Sequence, residues 1–96
     1  MTREEYRNHV HTMVDLVLDI QENVSSGFYP RAGIDLYGHE NSVEVWIEKD
    51  RGSLKGYELG YPMRHWDTKP EDIIKMLQDT KTTLVEKKEK FRHQPK

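Results

Sequence analysis

The sequence predicts a single α+β domain over residues 1–96, of order α-β-β-β-α: a three-stranded antiparallel sheet with two amphipathic helices packed on one face. Three observations predict it. Apolar residues recur in steps of three and four over residues 2–25 and again over 69–92, the spacing of a one-sided helix. Between these segments, apolar and polar residues alternate one by one, as on a half-buried strand. Short turn signals, not long crossovers, separate the alternating runs, and tight hairpins make antiparallel neighbours.

The first helix is predicted over residues 2–25. Thr2 precedes Glu5 at capping-box spacing. Tyr6, Val10, Met13, Val14, Val17, Leu18, Gln21 and Val24 then form one stripe, widened by Leu16 and Ile20. Ser25-Ser26-Gly27 follows, and a glycine suits the left-handed residue that closes a last turn.

Strands are predicted at 31–37, 42–49 and 53–61. Pro30, which lacks a ladder donor, belongs at a sheet edge or a strand start. Ala32, Ile34 and Leu36 alternate with polar or small residues, as do Val43, Val45 and Ile47. Gly38-His39-Glu40-Asn41 reads as a four-residue loop. Asp50-Arg51-Gly52 reads as a three-residue loop with Gly52 in the left-handed position. The second helix is predicted over 69–92, with Thr68 and Glu71 repeating the capping-box spacing and Pro70 in the first turn. Its inner stripe is Ile73, Ile74, Leu77, Thr80, Leu84, Lys88 and Phe91. Residues 93–96 read as a frayed tail.

These loop lengths also set the register. Tyr37 should face Ser42, which places Asp35 opposite Glu44 and Gly33 opposite Trp46. Lys49 should face Ser53, which places Trp46 opposite Gly56 and Glu44 opposite Glu58. Ile34, Leu36, Val43, Val45, Ile47, Tyr57 and Leu59 then point toward the helices. The other face carries a row of three carboxylates, Asp35, Glu44 and Glu58, beside Trp46 set between two glycines. Like charges directly opposite on a sheet destabilise it by a few tenths to about 1 kcal/mol. A solvated face, a recognition surface and a divalent-metal site on hard oxygen ligands all accommodate such a row.

Composition narrows the function classes. Hydrophobic residues make up 34% of the 96 residues and charged residues 33%, a lean core that suits a modest monomer or a protomer stabilised by pairing. There is no cysteine, so thiol nucleophiles, thiolate zinc sites and disulfides are excluded. The charged start MTREEYRNH has no apolar core of a signal peptide, and no apolar run approaches the ~20 residues of a membrane helix. These features predict a cytoplasmic location and no membrane partner. Net charge is −2, split between an acidic body and a basic end: residues 81–96 hold six Lys/Arg against two acids.

Catalytic signatures are missing. His9 and His11 stand two apart on a helix and point to different sides. His39 lies in the first hairpin loop, His65 before the second helix and His93 in the tail. No H-x-x-x-H spacing, G-x-S-x-G elbow or phosphate-binding glycine loop occurs. Tyr57, Tyr61 and Trp66 are expected to fill the core, Trp66 at the entry to the second helix. Nucleic-acid binding is disfavoured, because two acids interrupt the basic end and the whole chain is acidic.

The element order resembles that of double-stranded-RNA-binding domains. Yet Lys69-Pro70-Glu71-Asp72 puts two acids where that family has a lysine-rich helix start, and Gly38-His39 lacks the proline of its loop signature. The RNA-contacting residues, and with them that function, do not carry over. In size and acidity the chain also resembles small αβββα proteins among phage-encoded inhibitors of host defence.

The expectation is therefore a non-enzymatic binding module without a cofactor, whose acidic and aromatic sheet face meets a basic protein surface. Its site residues would be Asp35, Glu44, Trp46, Glu48, Glu58 and His39, and an inhibitor carried by a phage or mobile element is one form. A homodimeric structural protein is the alternative, followed by a carboxylate metal-dependent hydrolase.

Overall fold

Two helices and three strands follow one another as α1 (Arg3–Asn23), β1 (Arg31–Tyr37), β2 (Ser42–Glu48), β3 (Leu54–Gly60) and α2 (Pro70–His93). This is a computed structural model. It describes residues 1–23, 29–38 and 41–93, and the side chains through Lys90. The expected stripe residue Val24, the Ser25-Ser26-Gly27 cap, His39, the Phe91 side chain and residues 94–96 of the expected tail lie outside the described residues, while the backbone of His93, expected in that tail, continues α2.

α1 begins as its sequence dictates. The Thr2 N–H donates to Glu5 Oε1 at 3.0 Å, and the Glu5 N–H donates to Thr2 Oγ1 at 3.1 Å. Two donors that a helix start leaves orphaned are thereby satisfied reciprocally. The Glu5 carboxyl sits below its usual pKa because of the Thr2 N–H bond, then the Thr2 side chain. Met13, Val17 and Ile20 are buried, flanked by the half-buried Tyr6, Val10 and Leu16. Leu18, expected on this stripe, is exposed. The Met13–Val17–Ile20 line settles on the sheet, and Leu18 lies one step round the helix from it.

The sheet order is β1-β2-β3, antiparallel throughout. Its register is the one the loop lengths imply: Tyr37 pairs with Ser42, Asp35 with Glu44, Glu44 with Glu58, and Trp46 with both Gly33 and Gly56. The ladders run without a bulge. In the second hairpin, the Ser53 N–H donates to the Asp50 carbonyl at 2.9 Å, and Gly52 takes φ +85°, the left-handed conformation the loop needs.

Ala32, Val43, Val45, Ile47 and Leu59 meet Met13, Val17, Ile20, Ile73, Leu77 and Leu84 in one buried cluster. Both helices therefore pack on one sheet face. Leu36 belongs to that face by register, yet it is 63% exposed. It stands near the end of β1, beyond the cover the helices provide.

α2 starts one residue later than the Thr68–Glu71 spacing predicts. Pro70 takes the first helical position, where its missing N–H costs nothing. The Ile73 N–H donates to the Lys69 carbonyl at 3.2 Å. Thr68 does not cap the helix; its N–H donates to the Glu58 carbonyl at 2.9 Å and ties the loop to β3. Thr80, buried on the inner stripe, donates from Oγ1 to the Met76 carbonyl at 2.7 Å.

Three lysines of α2 reach across to the rest of the fold. Lys81 Nζ lies 2.9 Å from Asp19 Oδ2, Lys87 Nζ donates to the Tyr29 carbonyl at 3.2 Å, and Lys88 Nζ reaches Asn23 Oδ1 at 3.4 Å. This explains why Lys88 falls on the inner stripe. These ammonium groups join α2 to α1 and to the lead-in of β1. No helix among the described residues is long and apolar enough to cross a membrane.

Candidate functional site: the sheet face opposite the helices

Side chains alternate across a strand, so the residues between the core positions form the second face. Four cross-strand rows compose it: Arg31–Glu48–Leu54, Gly33–Trp46–Gly56, Asp35–Glu44–Glu58 and Tyr37–Ser42–Gly60. The three carboxylates thus share one row, and Trp46 lies in the next.

Trp46 is half-buried, and the reason is Gly33. Its indole lies over that glycine so closely that a Cβ at position 33 would collide with ring atoms Cε2, Cζ2 and Nε1. The bare glycine is what lets the ring lie against β1, and Gly33 is buried beneath it. The carboxylate of Glu44 leans the other way, toward β3, where a Cβ at Gly56 would come 3.4 Å from Oε1. Trp46 is therefore a platform lying along the sheet, not a ring projecting into solvent.

Two of the expected site acids have partners within the chain. Glu48 Oε1 lies 3.4 Å from Arg31 Nη2, and the Arg31 guanidinium also stacks over the Tyr29 ring at 4.3 Å and bonds its hydroxyl. Glu58 Oε2 lies 3.8 Å from Arg64 Nη2. Asp35 and Glu44 form no hydrogen bond or ion pair with another described side chain. His39 lies outside the described residues.

The segment from Tyr61 to Lys69 covers one end of this face, a feature the sequence reading missed. Its centre is Asp67, whose side chain is 0% exposed. Asp67 Oδ2 accepts the N–H of Gly60 at 2.9 Å and the N–H of Arg64 at 2.7 Å, and the Arg64 guanidinium binds both carboxylate oxygens. Burial works against ionisation of Asp67, but the Arg64 side chain and the backbone donors of Arg64 and Gly60 outweigh it, holding its pKa below the usual value. Thus clamped, Arg64 lies over Gly60, where a Cβ would meet Nε at 3.0 Å. The close approach explains why glycine ends β3.

The same loop presents His65 and Trp66. Their rings meet edge to face at 4.8 Å, and Arg64 lies 4.9 Å from the Trp66 ring. Trp66 is 57% exposed, so it does not fill the core as expected. Tyr61 packs on Tyr6 instead, with centroids 5.7 Å apart. Burial raises the Tyr6 phenol pKa, opposed by Arg64 and reinforced by Asp67.

These contacts also shape the sheet edges. The Gly60 N–H and the Glu58 carbonyl on β3 are taken by Asp67 and Thr68. On β1, Gln21 Nε2 donates to the Ala32 carbonyl at 3.3 Å. Both edges are thus capped at these positions, which limits where another strand can add.

Among the described residues, no three His, Asp or Glu side chains form a group that could hold a metal ion. The carboxylate row is a line across three strands, not a converging cage. What it supplies chemically is negative potential beside an aromatic surface. Compared with models of known protein families, with curated proteins and with solved structures, the chain matches none.

Proposed function

We propose that this chain is a non-enzymatic binding module that engages a basic protein surface with the sheet face opposite its helices. The observation that carries the reading is the Asp35–Glu44–Glu58 row beside the flat indole of Trp46. An aromatic surface attracts guanidinium and ammonium groups through its negative π face. Carboxylates alongside raise the local concentration of a basic partner and speed its encounter. Asp35 and Glu44, which have no cationic partner among the described residues, are the principal contacts in this reading. Glu48 and Glu58 form the rim, each already near an arginine. An inhibitor carried by a phage or mobile element, masking a basic surface of a host protein, is one form such a module takes.

The test is a nuclear magnetic resonance titration with an oligoarginine peptide. Shifts should concentrate on β1–β3 residues of this face. Asp35→Lys with Glu44→Lys should weaken binding by an order of magnitude or more, as reversal of paired interface charges does. Glu71→Lys, on the exposed first turn of α2, serves as the control and should leave it intact. Equal weakening by the control would sink the reading. Trp46→Ala is a poor probe, because it also strips the cover from Gly33.

The homodimer alternative draws on the exposed Leu36 and Leu54. They lie at opposite ends of the sheet and do not form a continuous patch. Light scattering over a concentration series separates the two readings.

A further inference from the structure

A second candidate site lies on the other side of the sheet. There a groove of about 500 Å³ opens between the β2–β3 hairpin and α2. Its apolar surfaces are Pro30, Ile47, Tyr57 and Met76, with Thr83 at the side. Pockets of about 300–1,000 Å³ with apolar walls and a few polar groups are the usual size and make-up of small-molecule sites. The walls are already held. Thr80 is satisfied internally by Met76, and Lys87 is tied to the Tyr29 carbonyl.

The charges around this groove differ from those of the rest of the chain. Lys49, Lys55 and Lys87 line it, against Asp50 and Asp79. A chain of net charge −2 thus shows a locally positive mouth here. The side chains of Lys49 and Lys55, on the hairpin, form no hydrogen bond or ion pair with another described residue. Lys55 follows from the register: it pairs with Ile47, on the core-facing side of β3, where the groove leaves its ammonium room.

We propose that this groove binds a small amphipathic carboxylate, with the apolar body along Ile47, Tyr57 and Met76 and the carboxylate at Lys49 and Lys55. The inference is independent of the acidic face, which would repel such a ligand. A neutral or cationic molecule of the same length gains the apolar contact but not the ammonium pair. A partner helix laid in the groove, or a second copy of the chain, would bury the same apolar surface without preferring a carboxylate.

Decanoate, kept below its micelle threshold, is the probe, titrated into the full chain by nuclear magnetic resonance and calorimetry beside decanol and decyltrimethylammonium. Decanoate should bind best, with shifts centred on Ile47, Tyr57, Met76 and Thr83. Lys49→Glu with Lys55→Glu should weaken decanoate about fivefold, as expected for two partly screened ion pairs, and improve the cation. Thr83→Trp, on an exposed position of α2, should block all three by filling the groove. Equal binding of decanoate and the cation, shifts centred elsewhere, or decanoate binding untouched by Thr83→Trp would each overturn the proposal. So would concentration-dependent dimerisation that excludes decanoate.

Discussion

Asp67 holds Arg64 at three separate points: its backbone N–H, its Nε and its Nη2, the last at 2.9 Å. With the Gly60 N–H on the same carboxylate, one buried side chain joins the end of β3, the loop and the guanidinium above the sheet. Removing one partner of such a pair leaves charge and donors uncompensated, typically at about 3 kcal/mol. Asp67→Ala should therefore lose about 3 kcal/mol in urea unfolding. Arg64→Met, which keeps the backbone N–H bonds to Asp67, should lose less.

The same carboxylate makes an acid-side prediction. Its folded pKa is lowered, so below the unfolded carboxyl range, around pH 4, the unfolded chain binds the proton more readily. The stabilisation is present above that range and is lost as pH falls through the folded value. The stability gap between the native chain and Asp67→Asn should hold from pH 7 to pH 5 and shrink in more acidic solution. Urea melts at stepped pH measure it.

The two glycines flanking Trp46 should respond differently to a methyl group. Gly33→Ala forces the indole off β1 and should cost about 2 kcal/mol, the usual scale for overpacking. It should also change the near-ultraviolet circular dichroism. Gly56→Ala meets only Glu44 Oε1 at 3.4 Å, the movable end of a side chain, and should stay within about 0.5 kcal/mol of the native chain.

The carboxylate row should lower stability. Like charges directly opposite on neighbouring strands cost a few tenths to about 1 kcal/mol. Glu44→Gln is therefore expected to raise stability by roughly 0.5 kcal/mol while weakening the oligoarginine complex. Added salt should narrow the gap by screening. Thermal melts at two ionic strengths check both effects, and a destabilised Glu44→Gln variant would contradict the first.

At the start of α1, Thr2→Ala keeps the backbone N–H that does most to lower the Glu5 carboxyl pKa and removes the smaller contribution of the Thr2 hydroxyl, so that pKa should rise partway toward its ordinary value. A carboxyl-carbon titration by nuclear magnetic resonance reads this directly, and an unchanged Glu5 curve would contradict the cap assignment.

The parts of this fold governed by period and loop length are legible in the sequence. Tyr37 opposite Ser42 and Glu44 opposite Glu58 follow from counting residues in two hairpins, and Gly52 marks the left-handed position. What stayed hidden depends on contacts between elements. Asp67 and Arg64 lie three apart in a loop with no periodicity, and their meaning comes from Gly60 on the neighbouring strand. Thr68 has the spacing of a cap, but Glu58 takes its N–H first. Loop length places Trp46 on the face opposite the helices, but whether its ring stands up or lies down depends on the missing Cβ across the ladder. Leu18 shows the converse limit: steps of three and four admit several lines along a helix, and the sheet selects one.

The chain contains two tryptophans, and only Trp46 rests on the proposed contact surface. Replacing the exposed Trp66 by Phe would leave a single indole emitter lodged between strand backbone and solvent. Its emission colour and quenching by iodide would then report occupancy of that surface without any added dye, giving the molecule an intrinsic optical gauge.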